Sequence, residues 1–290
     1  MERIVVGMDG STKAAEALRW AVEEGTVRLL PVTAVMAWSL LDQHHVDDSI
    51  EFDAGYSETD AVAALAHYVE EAVGSTAAST VWKEVVCERP AAGLLATAAD
   101  AALLVLGPRG LGGFRGLLLG SVSQHCLHHA SSPVAIVRGA PPAGASRRRV
   151  VVGIDGSETS RRALDWGLDE ARARQCPIEV VHSWTPPYAY GYPTPIALDP
   201  SEAEARAKDM VASFVSAADT AGLPHPVEQI VVSGGSPAGA LLVRADGADL
   251  VVVGSRGVGG FRGLLLGSLA HQMATHAPCP AVIVPPAADG

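Results

Sequence analysis

The chain has 290 residues, 48 % of them hydrophobic and 18 % charged, enough apolar surface for two packed domains and too little polarity for an extensively disordered protein. A formal net charge of −11 argues against a protein that grips nucleic-acid phosphates, and no run of roughly 18 or more apolar residues marks a membrane span. Neither a nucleic acid nor a membrane is therefore expected as a partner.

In chain order, residues 3–8 form a short apolar run of strand length. The strand begins at once, without the basic stretch, apolar region and cleavage site of a secretory leader. Ser11 is placed to cap a helix whose apolar face is Ala14, Ala17, Leu18, Ala21 and Val22. Residues 28–38 end in a second strand, and a helix is predicted at about 57–73. Strands at 81–86 and 103–106 flank a helix at 91–99. A helix at 121–129 and a strand at 133–137 complete the series. This βαβα order implies a parallel sheet with helices on both faces, and such sheets take ligands at the carboxyl ends of the strands.

The series occurs twice. RIVVGMDGS at 3–11 returns as RVVVGIDGS at 149–157, and GGFRGLLLGS stands unchanged at 112–121 and 259–268. A period of about 146 residues is far longer than a solenoid repeat, so each copy is a domain. The expected division is a first domain at 1–139, a Gly/Pro/Ser-rich linker at 140–148 and a second domain at 149–290.

The chemistry points to the segment after the fourth strand of each copy. Gly107 and Gly110 are followed, nine residues on, by Gly120 and Ser121; the second copy has Gly254, Gly257, Gly267 and Ser268. Glycines let backbone N–H groups approach a phosphate, and a helix start favours an anion. Ser121 can donate to a phosphate oxygen or cap the helix. No lysine completes a P-loop, and the dinucleotide pattern is missed by one residue. The glycines at 234–235 read as an ordinary turn. Arg109, Arg115, Arg256 and Arg262 either neutralise phosphate or are solvated.

This G-xx-G-(nine)-G-[ST] pattern, with Asp-Gly-Ser after strand one, resembles the ATP-binding branch of the universal stress protein family over nearly the whole chain, twice. The resemblance implies two tandem Rossmann-like α/β domains, each a five-stranded parallel sheet flanked by helices, with ATP over the strand ends. It places Asp9 and Asp155 at the adenosine end, where a carboxylate accepts from ribose hydroxyls or the base amine. Ala37 and Ser183 match the position whose backbone meets the adenine edge. Gly107, Gly110, Gly120 and Ser121, with Gly254, Gly257, Gly267 and Ser268, match the ribose and phosphate contacts. For Asp9 and Asp155 the alternative is a plain turn residue.

Other features have plainer readings. His125, His128 and His129 share a helix, and the i, i+4 pair could chelate a metal; packing and capping are the simpler account, so no protein-made metal site is expected. Any Mg2+ is expected to arrive on the ATP phosphates. The Tyr/Pro-rich stretch at 186–195 is a surface loop or a lid over the base. Cys87, Cys126, Cys176 and Cys279 have no CxxC or zinc-finger spacing and read as reduced thiols of a cytoplasmic protein. The expected function is an ATP-binding regulatory or stress-response protein with one site per domain and nucleotide-dependent conformation. A slow ATPase or autokinase, a binder of cyclic AMP or another adenylate, and a nucleotide-independent interaction module stay open. Family resemblance further implies an intramolecular pseudo-dimer of the domains, and whole chains can form a homodimer.

Overall fold

The structure, a computed structural model, describes residues 2–46, 52–111, 118–138, 148–184, 200–258 and 265–287. The chain divides into two compact units, Met1–Ala140 and Pro141–Gly290.

In the first unit β1 (Ile4–Gly7), β2 (Val32–Trp38), β3 (Trp82–Cys87), β4 (Leu103–Leu106) and β5 (Val134–Ile136) form a parallel sheet in the order β3-β2-β1-β4-β5. β1 and β4 are buried on both faces, so their sequences, IVVG and LLVL, are continuously apolar rather than alternating. β3 lies at one side of the sheet, and its Trp82 and Lys83 are exposed. Helices α1 (Thr12–Arg28), α2 (Glu58–Ala78), α3 (Pro90–Thr97) and α4 (Ser121–His129) connect the strands.

Helix α1 begins where Ser11 accepts a hydrogen bond from Ala14 N at 3.1 Å. Ala14, Ala17, Leu18 and Ala21 are buried as the pattern requires, whereas Val22 is only half-buried. Glu24, fully buried, bonds to Arg28 one turn on, which keeps its charge compensated. The helix ends on Leu29, a non-glycine residue in the left-handed region (φ 57°) with its side chain 89 % exposed. Helix α2 runs past the predicted end near residue 73, but Gly74 (φ 77°) breaks it, and the final turn is a separate piece.

The second unit repeats the plan with β6 (Val150–Gly153), α5 (Glu158–Arg174), β7 (Ile178–Trp184), α6 (Pro200–Ser216), β8 (Glu228–Ser233), α7 (Pro237–Ala245), β9 (Leu250–Gly254), α8 (Ser268–His276) and β10 (Ala281–Val284). Its parallel order is β8-β7-β6-β9-β10. α5 also ends on a left-handed non-glycine residue, Gln175 (φ 51°). In each unit the strand order reverses between the first and fourth strands, which opens a crevice at their carboxyl ends.

Candidate functional site

In the first unit, β1 leads into Asp9, Gly10 and the capping Ser11. The Asp9 carboxylate is held on both oxygens: Oδ1 accepts from Ser11 N and Oδ2 from Leu111 N, each at 3.0 Å. The turn after β1 is thereby tied to the glycine loop after β4, across the switch point.

That tie explains two glycines directly. A Cβ on Gly110 would lie 1.9 Å from Asp9 Oδ2, and one on Gly107 would lie 2.9 Å from the backbone carbonyl of Lys13. Gly110 thus makes room for an internal carboxylate, a role beyond the phosphate approach expected from sequence. Gly120 N donates to Pro108 O at 2.7 Å, so its N–H is already engaged. Gly120 is the N-cap of α4 and offers no side-chain cap; the first intrahelical bond runs from Gln124 N to Gly120 O at 2.9 Å. The early N–H groups of the helix therefore bring a positive partial charge to the exposed Ser121.

A cavity of about 510 Å³ opens over these residues. It is lined by all six residues expected from sequence: Asp9, Ala37, Gly107, Gly110, Gly120 and Ser121. Arg109 lines it too and supplies positive charge at the α4 end. Burial lowers the pKa of nearby Arg138, and the Arg109 charge lowers it further; its guanidinium donates to Leu118 O. Asp42, Gln43 and His44, between β2 and α2, line the cavity as well, as do Pro90 and Leu94 of α3. Sequence reading singled out none of these: Asp42, Gln43 and His44 lie in an irregular acidic connection unlike that of the other copy, and Pro90 and Leu94 belong to a segment read only as a repeated helix. The site thus has a cationic, N–H-rich end and a polar end bearing carboxylates.

The second unit builds the same tie. Asp155 Oδ1 accepts from Ser157 N (3.0 Å) and Ser157 Oγ (2.6 Å), and Oδ2 accepts from Val258 N (2.8 Å). Burial pushes this carboxyl up, but the bonds from Ser157, Val258 and Ser160 together hold it below the ordinary aspartate range. A Cβ on Gly257 would sit 2.2 Å from Asp155 Oδ2, and one on Gly254 would sit 2.9 Å from Thr159. Gly267 N donates to Ser255 O at 2.7 Å and caps α8, whose first residue, Ser268, is exposed. Ser183 stands on β7 at the place of Ala37 on β2; its buried hydroxyl and the Trp184 indole N–H find no hydrogen-bond partner among the described residues.

Arg115, Arg262, the 186–195 stretch and residues 140–147 of the expected linker lie outside the described residues. The His125 and His129 rings are 4.4 Å apart, yet among the described residues no group of three or more His, Cys, Asp or Glu could hold a metal ion. Ser236 caps α7 after Gly234 and Gly235, both at positive φ, the ordinary turn expected there. Among the described residues no helix is long and apolar enough to cross a membrane.

Fold and site together define a class: tandem, parallel-sheet α/β domains with a glycine-loop crevice at the topological switch point. The sequence model of the universal stress protein family matches residues 1–138 and again 146–285. A universal stress protein of Mycolicibacterium smegmatis is 33 % identical over 292 residues, covering 98 % of this chain and 97 % of that protein. One from Mycobacterium tuberculosis is 33 % identical over 300 residues, covering 97 % of this chain and 94 % of that protein. The crystal structure of a universal stress protein from Archaeoglobus fulgidus covers 98 % of both chains with a TM-score of 0.63 at 19 % identity, a likeness of fold. The chain belongs to the universal stress protein family, as a tandem member.

Proposed function

We propose that each unit binds ATP at its switch-point crevice and that the chain is a cytoplasmic regulatory protein whose conformation responds to the nucleotide. The observation that carries this reading is the convergence of Asp9, Ala37, Gly107, Gly110, Gly120 and Ser121 on one cavity. Its volume of about 510 Å³ is within the roughly 300–1,000 Å³ typical of small-molecule sites. The residues fit the ligand's chemistry. The α4 start, the Ser121 hydroxyl and Arg109 suit phosphate oxygens. Each Asp9 oxygen has a lone pair beyond its backbone bond, available to a ribose hydroxyl or a base amine. Mg2+ would come with the phosphates, which it neutralises in part. The four free thiols accord with a reducing compartment.

Asp9 and Asp155 also tie their glycine loops in place. A ligand drawing on the same carboxylates would bias the loops, and so the surface offered to partners, through differential affinity.

The test is acid release of nucleotide from the purified full chain, followed by chromatography and mass spectrometry. About two ATP per chain is expected from one site per unit, and about one would limit binding to a single unit. Recovery of ADP alone would favour slow turnover, and cyclic AMP would change the ligand. No nucleotide, with silent calorimetry against ATP and magnesium, would replace this reading with a nucleotide-independent interaction module. Light scattering on the same preparation tests whether whole chains form a homodimer.

A further inference from the structure

In the connection after β2, residues 39–44 are tied to one another and to Asp53 and Tyr56 by hydrogen bonds. Ser39 and Asp42 exchange two backbone hydrogen bonds of 3.0 Å. The Gln43 amide is committed at both ends: Nε2 donates to Leu40 O (2.9 Å) and Asp53 O (2.6 Å), while Oε1 accepts from Asp53 N (2.9 Å). His44 is pinned by one hydroxyl, since Tyr56 Oη accepts from His44 N at 3.1 Å and donates to His44 O at 2.8 Å. Tyr56 is itself buried beside the rings of Trp38 (5.8 Å between centroids) and His45 (5.2 Å).

Two groups on this wall remain able to read a ligand. The His44 side chain is only 9 % exposed and lines the cavity, and Asp42 Oδ1 lies 4.0 Å from His44 Nε2. Both share the cavity with Ala37. The backbones that carry these side chains are held by the bonds above, and such preorganisation reduces the freedom lost on binding.

We propose that His44 and Asp42 are the specificity-determining residues of the first site and select a purine carrying a 6-amino group. The inference rests on the nucleotide reading above and deepens it. Ionised Asp42 only accepts, so the edge facing it must offer an N–H. A 6-amino purine does so; the 6-oxo group of hypoxanthine opposes one acceptor with another. His44, with one ring donor and one acceptor when neutral, covers the base and fixes that edge against Asp42. A site built to bond a particular polar group rejects the analogue lacking it, because its own groups are left unpaired.

The experiment is calorimetry on the full chain carrying Gly257→Ala, which crowds Asp155 and weakens the second site, so that the tighter transition reports the first. The probes are ATP, ITP and inorganic tripolyphosphate. ATP is expected to bind about tenfold or more tightly than ITP, the scale of one or two hydrogen bonds to a charged group. His44→Ala and Asp42→Ala should each cut that ratio to below about threefold, and His44→Gln, which keeps a donor and an acceptor, should recover part of it. Equal binding of ATP and ITP, or a ratio that survives both substitutions, overturns the inference while leaving nucleotide binding intact. Loss of tripolyphosphate binding in His44→Ala assigns a general structural role and also overturns it. If His44→Ala does not fold, the Asp42→Ala ratio decides alone. Failure of ATP to bind the parent chain overturns the nucleotide reading itself.

Discussion

Gly110 and Asp9 show how a single methyl group can decide a site. An alanine at 110 would put Cβ 1.9 Å from Asp9 Oδ2, so the carboxylate or the loop must move. Overpacking of this kind costs about 1–3 kcal/mol. For Gly110→Ala we expect the first site to be weaker by about fivefold to a hundredfold by calorimetry, about one factor of ten per 1.4 kcal/mol. Asp155 gives a pH test. Its folded-state pKa is depressed, so its contribution to stability is present above the unfolded value and lost as the pH falls through the folded one. Acid unfolding of the parent should therefore show a loss below the ordinary aspartate range, and Asp155→Asn should flatten that part of the curve. The positions of these residues were legible in the sequence; part of the reason for them was not. The spacing marked Gly110 and Gly257, but their contact with Asp9 and Asp155 joins residues about a hundred positions apart, which no local pattern encodes. His44 was missed for the same reason: its place depends on Tyr56, across a connection without periodicity.

At the scale of the element, the helix starts carry both stability and site geometry. Ser11 caps α1 and Ser157 caps α5 through bonds of 3.1 Å to the third residue on. Losing such a cap costs about 1 kcal/mol. Denaturant unfolding should show a loss of that size for Ser11→Ala. Ser157→Ala should lose more, because its hydroxyl also donates to Asp155 at 2.6 Å. Strand and helix existence was readable from apolar runs and caps, and helix α4 at Ser121–His129 matches the sequence reading at both ends. The extension of α2 past residue 73 was not readable, because Gly74 looks like a stop signal and instead marks a break within a longer element.

At the scale of the whole molecule, each unit has its own core, and the thiols record it. Cys126 and Cys279 are pushed up to about 12 and Cys176 to about 11, chiefly by burial, whereas Cys87 is exposed on β3. Because the thiolate is the reactive form, a disulfide reagent at neutral pH should label one thiol per native chain quickly and four only after unfolding. The duplication was legible from two identical decapeptides, and the asymmetry between Ala37 and Ser183 could be read alongside it. The Ser183 hydroxyl, which finds no partner among the described residues, needed the three-dimensional arrangement.

The ends of the first helices hold an unused margin. Leu29 adopts a conformation that strains any side chain with a Cβ, yet that side chain stands 89 % exposed. Left-handed geometry costs an ordinary residue about 1–2 kcal/mol, so Leu29→Gly is expected to raise the melting temperature of the first unit by a few degrees while touching no ligand contact. Gln175 offers less, since its amide donates to Arg172 O at 2.7 Å and that bond would be forfeited. A chain that keeps leucine at such a corner has been selected for sufficient durability rather than the greatest, and an engineer seeking a sturdier scaffold could begin at position 29.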